Sequence, residues 1–367
     1  MLDPVITYYE NLAWPNTTGL ILTGTSTSRD TIIDASALIA AVITIDQAVS
    51  ASIQLLTLQN GYNDNADMGG GAVYLGSAVT FFGMTDAWVG TCSAANAGGA
   101  IYFSGTATGY NGQSWIDNTT FTNCSANMGG AISVSTDLNL YSVLFDTNEV
   151  SWGTGKGGAL YSGSGIFPTS DTPITLDSCI FQNNVSNVAG AAIYCYEPLY
   201  MTGCSVSNNV GNGGVVAGDS VRAAVVVSNN CTVLLSMFGS NTVTDDNTGL
   251  DIFGAALAVT ANSSVAVLVQ DSTFQFNVMT GSSTGGQGGA AFYVNPLRPL
   301  TGGPNPYGIT VDSVLFDGNV VTNSSTGTTT GGAVFVDNNC WVYMTGVTFN
   351  YNNSKVHAGA VGIDFVS

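Results

Sequence analysis

The chain is predicted to be all-β, a single parallel β-solenoid of roughly 11–12 coils, on three observations. A small-residue pair followed by Ala or Val and an apolar residue recurs ten times; an apolar residue three before Asn or Cys recurs nine times; and the two elements alternate. Repeats of this length mark stacked supersecondary units, each of which buries its apolar face only against its neighbours.

The first element reads Gly70-Gly71-Ala72-Val73, Gly98-Gly99-Ala100-Ile101, Gly129-Gly130-Ala131-Ile132, Gly157-Gly158-Ala159-Leu160, Gly190-Ala191-Ala192-Ile193 and Gly213-Gly214-Val215-Val216. It continues at Gly254, Gly289, Gly331 and Ala358. The pair lets the backbone turn where a side chain would clash, and the residues after it start an inward-facing strand. The second element reads Val89/Cys92, Phe121/Cys124, Phe145/Asn148, Phe181/Asn184, Val206/Asn209, Phe238/Asn241, Phe274/Asn277, Phe316/Asn319 and Phe349/Asn352. Its Phe fills the core from another face. Its Asn suits a turn, where it tolerates left-handed dihedrals. If Asn148, Asn184, Asn209, Asn241, Asn277, Asn319 and Asn352 stack coil upon coil, their amides bond along the axis; otherwise they are ordinary solvated turn residues.

Short alternating runs such as Trp341 to Phe349 and Thr232 to Phe238 read as strands. Charged residues make up only 8% of the chain, too few to support a long amphipathic helix. The repeat length allows two or three strands per coil and is too short for a propeller blade. Residues 1–367 therefore form one elongated unit. Residues 1–19 are expected as a cap or interaction arm, 20–69 as opening coils without the small pair, and 70–367 as the repeats proper. At about 4.8 Å per coil the rod is roughly 50–60 Å long.

The paired GGA(I/V/L) and FxxN elements from Gly70 onward resemble the repeats of the polymorphic outer membrane proteins, bacterial surface adhesins and autotransporters, and of wider pectin-lyase-like surface proteins. That resemblance implies a right-handed parallel β-helix displayed outside the cell. Two readings of the blunt end at Ser367 stand side by side. In one the chain is a fragment of a longer surface protein; in the other its last coil is completed by the next subunit, head to tail.

The net charge is −19, from 24 acidic and 5 basic residues, so no basic patch is available to neutralise nucleic-acid phosphates. No apolar run reaches the roughly 18–20 residues a membrane-spanning helix needs. Equivalent repeat positions pair Cys92 with Cys124 and Cys179 with Cys204 at about the strand spacing. They are candidates for cross-coil disulfides or for stacks of small buried thiols. Of the Asn-x-Ser/Thr sequons, Asn16, Asn262 and Asn323 lie in polar stretches and are the candidate glycan acceptors, whereas Asn184 and Asn352 fall in the ladder. No Cys/His cluster signals a metal, no cofactor motif is present, and His357 is the one histidine.

An enzyme that cleaves polysaccharides needs converging carboxylates or a basic residue in a groove. Asp117, Asp177, Asp271 and Asp312 share roughly one edge of the solenoid, but only the last two come from neighbouring repeats. The expected function is therefore a non-enzymatic extracellular structural or adhesive solenoid, which either self-associates into a filament or displays surface for a glycan or cell-surface ligand. A carbohydrate-active β-helix is the alternative. Ligand contact is expected at the long aromatic loops Tyr102 to Trp115, Tyr161 to Pro173 and Val294 to Tyr307.

Overall fold

A computed structural model describes residues 6–27, 30–36, 38–47, 50–65, 69–104, 114–150, 155–163, 173–212, 221–244, 252–261, 265–281, 287–296, 308–323, 329–336, 341–355 and 358–363. The chain is a right-handed parallel β-helix. No helix of the described residues is long and apolar enough to cross a membrane.

Each full coil has four strands rather than the expected two or three. One coil runs through Ser114–Asp117, Thr120–Thr122, Ser125–Ala126 and Ile132–Val134. Stacking of equivalents gives an 11-stranded leading sheet, a 12-stranded Phe sheet, a 10-stranded sheet of short strands and a 12-stranded Gly-Ala sheet. The strand missed from sequence is the two-residue one after the Asn turn, too short to show any alternation.

Corners are made by single residues in the left-handed region. Asn118 (φ 42°) separates the leading strand from the Phe strand, and Asn123 (φ 53°) separates the Phe strand from the short one. Gly129 (φ 61°) precedes the Gly-Ala strand, and a Cβ on the next residue, Gly130, would run into the Gly158 carbonyl of the following coil. The first glycine of a pair thus supplies the dihedral and the second the clearance.

Two sequence assignments shift. Val225, not Val216, pairs with Ile193 and Leu257, so Arg222-Ala223-Ala224-Val225 takes the place expected for Gly213 to Val216, and residues 213–216 lie outside the described residues. The segment expected as a cap also enters the sheets. Ile6–Tyr9 pairs with Thr31–Asp34 and Leu12–Ala13 with Ile43–Ile45, forming the first coil.

The core is built in columns. Phe121, Phe145 and Phe181 stack at centroid distances of 5.2 and 4.6 Å, Val206 interrupts, and Phe238, Phe274, Phe316 and Phe349 resume at 4.6, 5.1 and 5.1 Å. The register alone forces this, since in-register parallel strands place identical positions one strand spacing apart.

Candidate functional site

The seven ladder asparagines form one continuous chain of amides. Asn148 Nδ2 donates to Asn184 Oδ1 at 3.0 Å, and the same link repeats from Asn184 to Asn209, Asn209 to Asn241, Asn241 to Asn277, Asn277 to Asn319 and Asn319 to Asn352. Each Oδ1 also accepts the backbone N–H of the preceding asparagine, as in Asn241 N to Asn277 Oδ1 at 3.1 Å. The second Nδ2 hydrogen goes to the carbonyl of the preceding coil's Phe-column residue, for instance Asn241 to Val206 O at 2.9 Å. Asn148 through Asn319 are completely buried, and buried amides of this kind must be paired. The left-handed residue at this corner is not the ladder Asn but the one before it, among them Thr147, Asn183, Asn208, Ser240 and Phe276. Amide pairing, not dihedral tolerance, therefore places asparagine here.

Cys92 and Cys124 occupy the same column below the ladder, and the Cys124 N–H donates to Asn148 Oδ1. Cys179 and Cys204 stack at the preceding corner, where Ser236 and Ser272 continue a second, hydroxyl column: Cys204 N donates to Ser236 Oγ and Ser236 N to Ser272 Oγ, both at 3.1 Å. The candidate bridges are not formed. All six described cysteines, including Cys195 and Cys231, are free and buried, and Cys340 lies outside the described residues. Stacked side chains leave the backbone in parallel, and each thiol turns to a carbonyl instead, Cys92 to Gly90 O, Cys124 to Thr122 O and Cys179 to Asp177 O at 3.4 Å. Burial, with Cys124 beside it, pushes the Cys92 thiol up. Burial likewise lifts Cys195 to about 12. Such thiols stay protonated and unreactive.

The candidate carboxylates do not converge. Asp117 and Asp177 flank Tyr141 in the leading sheet, two coils apart, and Asp312 pairs with Gln270 rather than with an acid. Asp271 sits at the next corner with φ 48°. Asp177 accepts from Ser178 Oγ at 2.8 Å and Asp312 from Ser313 Oγ at 3.3 Å, which is local strand-end chemistry. Among the described residues no three His, Cys, Asp or Glu are grouped to hold a metal ion.

Of the sequons, Asn16 is exposed, Asn323 ends the strand Val320–Asn323, and Asn262 lies outside the described residues. His357 and the middles of the three aromatic loops also lie outside them.

Sequence reasoning missed a second column of rings on the outside of the Gly-Ala sheet. Register aligns Tyr74, Tyr102, Ser133, Tyr161, Tyr194, Val226, Ala258, Tyr293 and Phe335. Tyr74 and Tyr102 stack at 6.2 Å and Tyr161 and Tyr194 at 6.0 Å. Lys156 lies 4.4 Å over the Tyr194 ring and donates to its hydroxyl at 3.2 Å. Parts of the segments leading into the Gly-Ala strands, including Ile252–Phe253, Gln287–Gly288 and Thr329–Thr330, fold back as a three-stranded outer sheet beside this column.

The two end coils are less covered than the middle. Val342, Met344, Val347 and Phe349 are half-buried, whereas the residues below them in the stack, Ile309, Val311, Val314 and Phe316, are buried. In the first coil, Tyr8 pairs in register with the core residue Ile33 and is exposed, and Asn11 follows it by three residues. The first coil thus carries the same aromatic-x-x-Asn spacing as Phe349 and Asn352. No family model, curated protein or solved structure matches the chain.

Proposed function

We propose that this chain is a non-enzymatic, extracellular structural or adhesive β-solenoid whose copies stack head to tail. The self-complementarity of its two ends carries the reading. Within the ladder each asparagine donates its backbone N–H and one amide hydrogen to the Oδ1 of the next coil. Asn352 gives one amide hydrogen to Phe316 O at 2.9 Å, which leaves the upward-facing donors for a following coil. Tyr8 of a second copy lies where the next ring above Phe349 belongs, and Asn11 follows it at the ladder spacing while its amide nitrogen is given to Ala41 O beside the Gly-Ala strand. All strands run parallel, and the first coil's Ile6–Tyr9 and Leu12–Ala13 offer open edges to Thr348–Asn350 and Val361–Ile363 of a preceding copy, so stacking would add parallel pairs to those two sheets. The repeat's resemblance to the polymorphic outer membrane proteins supports display outside the cell. A non-closing head-to-tail contact generates filaments.

The test is negative-stain imaging and sedimentation of the purified chain over a range of concentrations. Fibres with an axial repeat of about 58 Å, twelve coils at ~4.8 Å, are expected. Tyr8→Asp and Asn352→Asp should each shift the material to short rods. Monodisperse rods of the parent chain at every concentration would refute stacking.

A further inference from the structure

Among the Asn-x-Ser/Thr sequons, Asn184 is sealed in the ladder, whereas Asn16, Asn118, Asn123 and Asn230 are exposed. Asn118, in Asn118-Thr119-Thr120, also lines a groove of about 400 Å³ on the flank of the solenoid, together with Ser26, Leu55, Asp86, Trp88 and Thr120. That volume falls within the roughly 300–1,000 Å³ of small-molecule sites.

Three consecutive coils build the groove. Leu55, Asp86 and Asn118 hold the same left-handed corner in successive coils, with φ of 57°, 51° and 42°. Trp88 follows Asp86 by two residues and pairs in register with Thr57 on one side and Thr120 on the other. The far edge of its six-membered ring lies 2.2 Å from the place a Cβ on Gly90 would take. Glycine at that strand position therefore lets the indole lie down along the sheet and wall the groove.

The Asn118 amide is aimed at this wall. Its Nδ2 donates to Asp86 Oδ1 at 2.6 Å, which draws the nitrogen back over the coil that carries Trp88. A primary amide has two N–H groups; the Asp86 bond uses one and leaves the other for substitution.

We propose that Asn118 carries an N-linked glycan whose first pyranose ring lies in this groove against Trp88. In the transfer, Nδ2 bonds to the anomeric carbon of a sugar donated by a polyprenyl-pyrophosphate oligosaccharide. The sugar's C–O bond to the pyrophosphate breaks, the pyrophosphate leaves, and one amide proton is lost to solvent. The substituted nitrogen keeps its other hydrogen, so the Asp86 bond survives and holds the sugar's root beside the ring. A pyranose offers apolar C–H faces to the indole and hydroxyls to Ser26, Asp86 and Thr120. Asp86 is the one charged side chain in the lining, so a neutral sugar suits the groove and an acidic one does not. The proposal rests on the extracellular part of the reading above and not on stacking.

The whole chain, led through a eukaryotic secretory pathway, tests this by peptide mass spectrometry and by the rate at which peptide-N-glycosidase frees the glycan. Asn118 should be occupied, and Thr120→Ala should empty that site while leaving Asn16 unchanged. Release from Asn118 should be at least tenfold slower in the folded chain than after denaturation. Trp88→Ala, with an unchanged circular-dichroism spectrum, should keep the occupancy and remove most of that protection. An unmodified Asn118, or equal protection in the parent and Trp88→Ala, would overturn the assignment. Fractionation of the native source tests extracellular display, and sedimentation of the same material tests stacking, so failure of either reading is distinguishable from failure here.

Discussion

Replacing Asn241 by Ala removes one rung from the centre of the ladder. Four hydrogen bonds disappear: Nδ2 to Val206 O and to Asn277 Oδ1, and those that Oδ1 accepts from Asn209 N and Asn209 Nδ2. The losses are unequal. Asn209 Nδ2 still reaches Phe181 O and Ser207 O, and Asn277 Oδ1 still accepts from Asn241 N. Asn209 N–H loses this acceptor in a site that is 0% exposed. An orphaned buried donor costs about 1–3 kcal/mol, and each hydrogen bond otherwise lost about 1 kcal/mol, so the substitution should destabilise by about 3–5 kcal/mol. Asn208→Ala, at the exposed left-handed corner one residue earlier, is the control and should cost about 1 kcal/mol. Denaturant unfolding followed by circular dichroism measures both. A solenoid need not unfold in one step, so the comparison rests on the first transition that involves the central coils. If Asn241→Ala costs no more than Asn208→Ala, the amide ladder is not what holds adjacent coils together.

Phe145 stacks on both Phe121 and Phe181, and Phe145→Ala should destabilise by about 3–5 kcal/mol, Phe145→Leu by about 1 kcal/mol, in the same assay. Because the Cys195 thiol rises from an ordinary value of 9.0 to about 12, the unfolded chain loses that proton first; stability should be fully present below pH 9 and fall between pH 9 and 12, a loss that Cys195→Ala reduces. For Asp34, burial opposes ionisation, but hydrogen bonds from Gln59 at 2.8 Å, Ser36 N at 2.8 Å and Asn60 at 3.0 Å hold its carboxyl below the usual range. Its contribution should thus be present above about pH 4 and disappear as the pH falls further, with Asp34→Asn giving a flatter acid limb in thermal melts. In a host that glycosylates secreted proteins, mass spectrometry should find glycan on exposed Asn16 and none on Asn184, which is 0% exposed.

The parts of this molecule that repeat were legible in its sequence, and the parts that vary were not. Phe121, Phe145 and Phe181 announce a column because every coil needs a large inward side chain at that register. The ladder Asn is just as insistent, although its reason lies in buried amide pairing rather than in the turn. The small pair failed as a guide in one coil, where Arg222 stands at the first glycine's place and the conspicuous Gly213-Gly214 lies outside the described residues. Most strands after the Asn corner are only two residues long and leave no periodic trace. The outer ring column was hidden for a different reason. Alternation places Tyr102, Tyr161 and Tyr194 outward, which reads as solvent exposure, whereas Tyr161 and Tyr194 are 4% and 6% exposed. The residue immediately after each Ile, Val or Leu of the small-pair element was the available signal, since an outward tyrosine recurring at one register is unusual for a solvated face.

Columns also explain why function in this fold belongs at interruptions. A position that repeats faithfully is satisfied by its neighbours: the amide of Asn241 is saturated by coils on either side, and the ring of Phe274 by Phe238 and Phe316. Nothing is left over for a ligand. Groups with unspent capacity along a column arise where the column stops. The ring column changes at Ser133, where Met128 rather than a ring packs beside Tyr161. Among the described residues the ladder stops at Asn352, where the proposed stacking would place the first coil of another copy. On the proposed reading, the end of the ladder, which lies on the axis, would recognise another copy of the chain.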